Sequence, residues 1–225
     1  MIQSRQASAA AGYKTTPLVA EVISGYLPES ERGSRAAFLP GRGERSPRVA
    51  VPTREIVCYE CGKRSRIPVA ALSAHCVHCC AHLNTADVTL KAGSRRLTVR
   101  TLGDVILPAE ASLSHLSIVC RNLTIAGKAE GNIRCNGVLT LRGEARINGQ
   151  ARAEKLLVES GARAECSPGI SVQCAEVDGY MEGRVHAQDY VHISKNGTLA
   201  GDCRGARLMV DPGGVHRGVW VREAL

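Results

Sequence analysis

The chain has 225 residues, 44% of them apolar but only 3% aromatic, with 23 glycines and a single Trp. That is enough aliphatic material to exclude a wholly disordered chain, and glycine without every-third spacing excludes collagen. So little aromatic bulk excludes an ordinary layered globule of this size and asks for thin, regular layers of Val, Ile, Leu, Ala and Cys. The formal charge of +8 is uneven: residues 1–54 hold eight Arg/Lys against four Asp/Glu, residues 55–90 three against three, and residues 91–225 eighteen against fourteen.

Residues 1–54 carry Pro17, Pro28, Pro40, Pro47 and Pro52 among Ser, Arg and Gly. No helical or strand period persists there, so the segment reads as a disordered basic tail and linker. Within it, Leu18–Leu27 could form a short amphipathic segment that meets a membrane or a partner. The early apolar stretch Pro17–Ile23 is short and contains Glu21, which is not the pattern of a secretory leader. No apolar run approaches the roughly 20 residues of a membrane span. The expected location is cytoplasmic, with the inner face of the membrane as a place of contact. Ten cysteines in that setting point to metal ligands or buried thiols.

Residues 55–90 contain Cys58-Tyr-Glu-Cys61-Gly62 and, fourteen residues later, Cys76-Val-His-Cys79. Two Cys-x-x-Cys knuckles at this spacing bring four thiolates to one tetrahedral zinc ion, so a structural zinc ribbon is expected. Cys80 follows Cys79 directly and could replace it as the fourth ligand, and His75, His78 and His82 are near. Four Cys ligands leave no open position for a substrate. Lys63, Arg64 and Arg66 could touch nucleic acid, but a balanced segment suits a partner-binding adaptor better.

Residues 97–222 repeat. Apolar strands end at Ile125, Leu141, Val158, Val177, Ile193 and Val210, spaced by 16, 17, 19, 16 and 17 residues, and a glycine follows most of them. A unit this short suits three strands joined by tight corners, each turn stacking on the last. The expected architecture is an all-β solenoid of about seven turns. Alternation points Cys120, Cys135, Cys174 and Cys203 inward as small hydrophobes, while Cys166 has no clear register. Corners such as Asn136-Gly137 and Asn196-Gly197 are expected to use φ > 0. Gly131, Gly137, Gly143 and Gly149 recur every six residues, so a left-handed hexapeptide solenoid, as in acyltransferases and zinc hydratases, stays open on period alone.

No catalytic residue stands out. His186 and His192 alternate with inward residues and so point outward, His115 and His216 are isolated, and no His has a carboxylate partner at a telling spacing. Carboxylates are spread singly. Neither GxxxxGK[ST] nor G-x-S-x-G occurs, which leaves nucleotide binding and serine hydrolysis without support. No small-molecule substrate is expected.

The runs Leu139–Gly161 and Val191–Val210 resemble the bactofilins, with a Gly-x-x-x-Gly step followed by Ala-x-x-Leu-x-Val. The resemblance covers residues 104–218. It implies a right-handed parallel β-helix and a bacterial cytoskeletal scaffold. Such a scaffold would polymerise with itself, end to end and without nucleotide, often near the membrane. A zinc ribbon ahead of the helix departs from the plainer members. Cell-envelope or membrane-associated partners would then engage residues 1–90, and a DNA-binding regulator built on the ribbon and tail is the further alternative. A solenoid has two open ends that must be capped or stacked. Val219 and Trp220 are expected at one stacking surface, Leu97 and Val99 at the other.

Overall fold

The computed structural model describes residues 51–94 and 98–223. The proposed tail up to residue 50, and Leu97, lie outside the described residues. All regular structure among them is strand.

Two antiparallel hairpins come first. Strand β1 (Thr53–Val57) pairs with β2 (Arg64–Pro68), and β3 (Ser73–His75) pairs with β4 (His82–Asn84). Their small core holds Ile56, Ile67 and Leu83 with Cys58 and Cys76, and Leu102 reaches into it from the next region. The first hairpin therefore begins two residues inside the segment read as linker.

The parallel solenoid starts earlier than residue 97. Strand β5 (Val88–Thr89) pairs with Asp104–Leu107, and β6 (Thr98–Arg100) pairs with Ser112–Cys120. From there the chain climbs through three faces per turn. Inward residues stack in columns whose members are neighbours across the ladder, and one column on each face traces the turns. The first face runs Val88, Val105, Leu123, Leu139, Leu156, Ala175, Val191, Leu208. The second runs Leu113, Ala129, Ile147, Cys166, then shifts register to Ala164, Met181, Leu199, His216. The third runs Val99, Ile118, Ile133, Ala151, Ile170, Val185, Cys203, Trp220. The first and third columns thus make eight rungs rather than seven, a rise of about 34 Å from first to last.

The columns explain the composition. The inward side chains of all three faces share a narrow interior, which suits aliphatic residues and thiols and leaves no room for stacked rings. Cys120, Cys135 and Cys203 lie inward and buried, as expected, and Cys166 takes an inward place beside Ile147. Cys174 does not. The ladder slips between Val172 and Cys174. Its thiol is half-buried at the edge of the first face, with its Sγ 3.8 Å from Asp189 Oδ2.

The glycines divide by cause. Gly137 and Gly197 are not at positive φ. Gly197 is needed for closeness, since a Cβ there would lie 2.1 Å from the Val177 carbonyl oxygen. Gly149, at φ 135°, lies directly over Gly131, and its Cβ would lie 2.1 Å from the Gly131 oxygen.

Candidate metal centre and the exposed last rung

Each hairpin turns through one knuckle. In the first, Gly62 N–H donates to Cys58 O at 2.9 Å and Glu60 N–H to Cys58 Sγ at 3.4 Å. In the second, Cys80 N–H donates to Cys76 O at 2.9 Å and His78 N–H to Cys76 Sγ at 3.5 Å. The two turns are copies of one another, facing each other.

Cys58, Cys61, Cys76 and Cys79 come together there, all four Sγ atoms within 4.8 Å of one another. Cys58 Sγ lies 3.7 Å from Cys79 Sγ, and Cys61 Sγ 3.7 Å from Cys76 Sγ. A tetrahedral zinc with bonds of about 2.3 Å would space its sulfurs by about 3.8 Å. The residues present therefore fit that ion. The thiol of Cys76 is held down to about 6, first by the Cys79 amide and next by that of His78. Cys79 moves the other way, to about 12. The Ala81 amide lowers it, but desolvation and the sulfurs of Cys61, Cys76 and Cys58 raise it more. Four thiolates this close repel, and a bound dication would remove the conflict.

The neighbouring candidates have other work. Cys80 sits at φ 58°, the place of Gly62 at φ 71°, and its thiol is not among the four. His78 Nε2 lies 3.1 Å from Arg64 O and so ties the second knuckle to β2. His75 and His82 face each other across the second hairpin, rings edge to face at 5.3 Å.

The ribbon is fastened to the first rung. Arg100 donates from Nη1 to Glu60 Oε1 at 2.5 Å and lies over the Tyr59 ring. Leu102 N–H donates to Asn84 O at 2.8 Å, and Thr101 Oγ1, fully buried, to Ala86 O at 2.6 Å. Val99 is itself buried, only 3% exposed, so it is a core residue of the first rung rather than a bare end.

The other end differs. The last interior layer is Leu208, His216 and Trp220, all only half-buried. Around it Met209, Val210, Val215, Val219 and Val221 are exposed, Val219 at 60%. The strands Arg207–Val210, Val215–Arg217 and Trp220–Arg222 pair on one side only among the described residues. His216 is not isolated: its Nε2 lies 3.1 Å from Gly201 O and 3.2 Å from Cys203 Sγ. The outward histidines also have carboxylate partners, brought by stacking rather than by sequence spacing. His186 Nε2 is 2.8 Å from Glu223 Oε2, and His192 Nε2 is 3.1 Å from Asp211 Oδ1.

The first part of the stacked columns matches one family model. Residues 85–168 match the bactofilins, described as polymer-forming and cytoskeletal. Over this stretch the chain is similar to the bactofilins. The bactofilin match begins three residues before Val88 of the first rung and stops beside Gly169, while the same columns continue to Trp220. Of the residues 104–218 that resemble the family in sequence, the match covers 104–168, and it reaches back to residue 85. No curated protein and no solved structure matches the chain significantly.

Proposed function

We propose that this chain is a structural scaffold whose bactofilin-like domain stacks end to end into filaments without nucleotide. The observation that carries this reading is the last rung. Its interior layer and five exposed apolar neighbours offer unpaired strand edges and apolar surface together. A second copy would supply the missing layer. Val219 and Trp220 form the contact at this end, and the first rung of the next molecule meets them.

The ribbon holds a structural zinc ion through Cys58, Cys61, Cys76 and Cys79. The ion would supply the cross-link that so small a core lacks, and it takes no part in chemistry. Fixed to the first rung, the ribbon is an adaptor that offers a partner-binding surface at a set place along the filament. Cell-envelope proteins at the inner face of the membrane are the partners this reading favours, with a cytoplasmic location.

Sedimentation of the purified full chain tests the filament. Without nucleotide it is expected to pellet, in a concentration-dependent way. A chain that stays soluble as a small closed oligomer at all concentrations contradicts the proposal. Metal analysis of the same sample is expected to find one zinc per chain.

A further inference from the structure

The three faces of the solenoid carry their charge differently. On the first, the outward charges are Asp104, Lys155, Glu176 and Arg207. On the second they are Lys128, Arg146, Arg163 and Arg217 against Glu130, Glu165 and Glu182. Both faces are mixed, and neighbouring rungs pair: Arg146 with Glu165 at 3.2 Å, Lys155 with Glu176 at 2.7 Å. The third face is predominantly basic, with Asp202 and Glu223 the carboxylates beside its cations. One outward column runs Arg134, Arg152, Ser171, His186, Arg204 in unbroken ladder register. Arg184 stands in the next column, beside Gly169.

Among the described residues, the side chains of Arg134, Arg152, Arg184 and Arg204 make no hydrogen bond and no ion pair, though all four are exposed. The carboxylates near them are Asp202, whose Oδ1 accepts from Val219 N–H, and Glu223, which meets His186. Arg134 and Arg152 are direct ladder neighbours, an arrangement that costs repulsion unless something anionic lies across it. Arg152, Arg184, His186 and Arg204 line one shallow trough of about 470 Å³, where three arginines outnumber the single carboxylate, Asp202.

We propose that this face binds the phosphodiester backbone of duplex DNA, laid along the solenoid axis and held without regard to base sequence. From Arg134 to Arg204 the cations span four rung steps, about 19 Å, in a stripe about 7 Å wide. A narrow stripe matches a linear polyanion better than the plane of a membrane. The residues interleaved with it are Asn132, Gln150, Ser171, Gln173 and Gln188, with no aromatic to insert into lipid or to stack on unpaired bases. Guanidinium groups grip phosphate oxygens in pairs. Over this length a duplex makes about half a helical turn, so phosphates of both strands pass in front of the stripe within reach of the long arginine side chains.

Four phosphate contacts set the expected salt dependence. The logarithm of the binding constant should fall against that of salt with a slope of about −3.6, roughly a hundredfold loss between about 50 and 200 mM. The experiment is fluorescence anisotropy of the full chain with a labelled duplex of about 30 base pairs at several salt concentrations. The third-face variant Arg134→Gln/Arg152→Gln/Arg184→Gln/Arg204→Gln is compared with Lys128→Gln/Arg146→Gln/Arg163→Gln/Arg217→Gln, which loses the same charge on the second face. Binding is expected to weaken at least about tenfold, and the slope to shrink by three or more, in the first variant only. Arg152→Gln alone should reduce the slope by about one, which keeps the test open if the fourfold variant does not fold. Equal losses in both fourfold variants overturn the proposal. So does a wild-type chain that ignores duplex at low salt. It is also overturned if the third-face variant loses binding to phosphatidylglycerol vesicles while its duplex binding is unchanged.

Discussion

Gly62 and Cys80 occupy the same seat in the two knuckles, each with positive φ and each donating its amide to the carbonyl of the first cysteine of its pair. Only glycine takes that conformation without strain, and for other L-residues it costs about 1–2 kcal/mol. Cys80 is therefore a turn residue held in place by its surroundings. Cys80→Gly should keep a full complement of zinc and raise ribbon stability by up to about 1 kcal/mol, after the greater freedom of glycine in the unfolded chain is counted. Cys79→Ser should lose the metal. Metal content and thermal melting of the two variants check this; zinc lost from Cys80→Gly and kept in Cys79→Ser would reverse the assignment.

Removing the metal should loosen the ribbon and spare the solenoid, because their cores are separate but for Leu102. Hydrogen exchange after chelation should quicken across Thr53–Asn84 and stay slow along the column from Ile118 to Val185. In the absence of chelator, thiol reagents should reach Cys80 well before the four ligands.

Two buried thiols give a pH dependence. Cys166 is pushed up to about 12, mainly by burial and then by Glu165, and Cys203 to about 11, mainly by burial and then by Asp202. In the unfolded chain a thiol ionises near the ordinary value of 9. The folded form keeps both neutral, so their contribution to stability is whole below about 9 and is lost as pH rises through 11 and 12. Native protein at pH 9 should leave both thiols unmodified by iodoacetamide; rapid labelling of either while the fold is intact contradicts this.

Gly201 lies over Gly183 much as Gly149 lies over Gly131, and an added Cβ would meet the Gly183 oxygen at 2.2 Å. Backbone cannot swing aside as a side chain does. Gly201→Ala should destabilise the solenoid by more than about 2 kcal/mol, a shift several times that of an exposed substitution such as Gln188→Ala. Thermal melting of the two variants reads the difference.

The repeat was legible because each rung needs the same small inward residues, and the metal ligands because two knuckles leave a fixed spacing. The misses have local causes. Cys174 alternates with Val172 on paper, but the ladder slips between them. Val88 reads as ribbon because its partner Val105 lies a full turn away. Cys79 and Cys80 are the same residue type side by side, and only the backbone angle of Cys80 separates their roles. The basic column was hidden for a similar reason. Arg134, Arg152, His186 and Arg204 share one face only once the slips in register are counted, since the turns between them differ in length. His216 looked isolated because Cys203 and Gly201 meet it through space, one rung below.

The measurement that bears most directly on the scaffold is negative-stain microscopy, with sedimentation, of the Trp220→Arg variant beside the wild-type chain. Trp220 belongs to the last interior layer and lies over Cys203, its ladder neighbour in the rung below. An arginine there should leave the preceding rungs folded and deny the next molecule its apolar seat. The account predicts filaments from the wild-type chain and a folded, soluble, non-polymeric variant with an unchanged circular dichroism spectrum. Filaments of undiminished length and number from Trp220→Arg would contradict it.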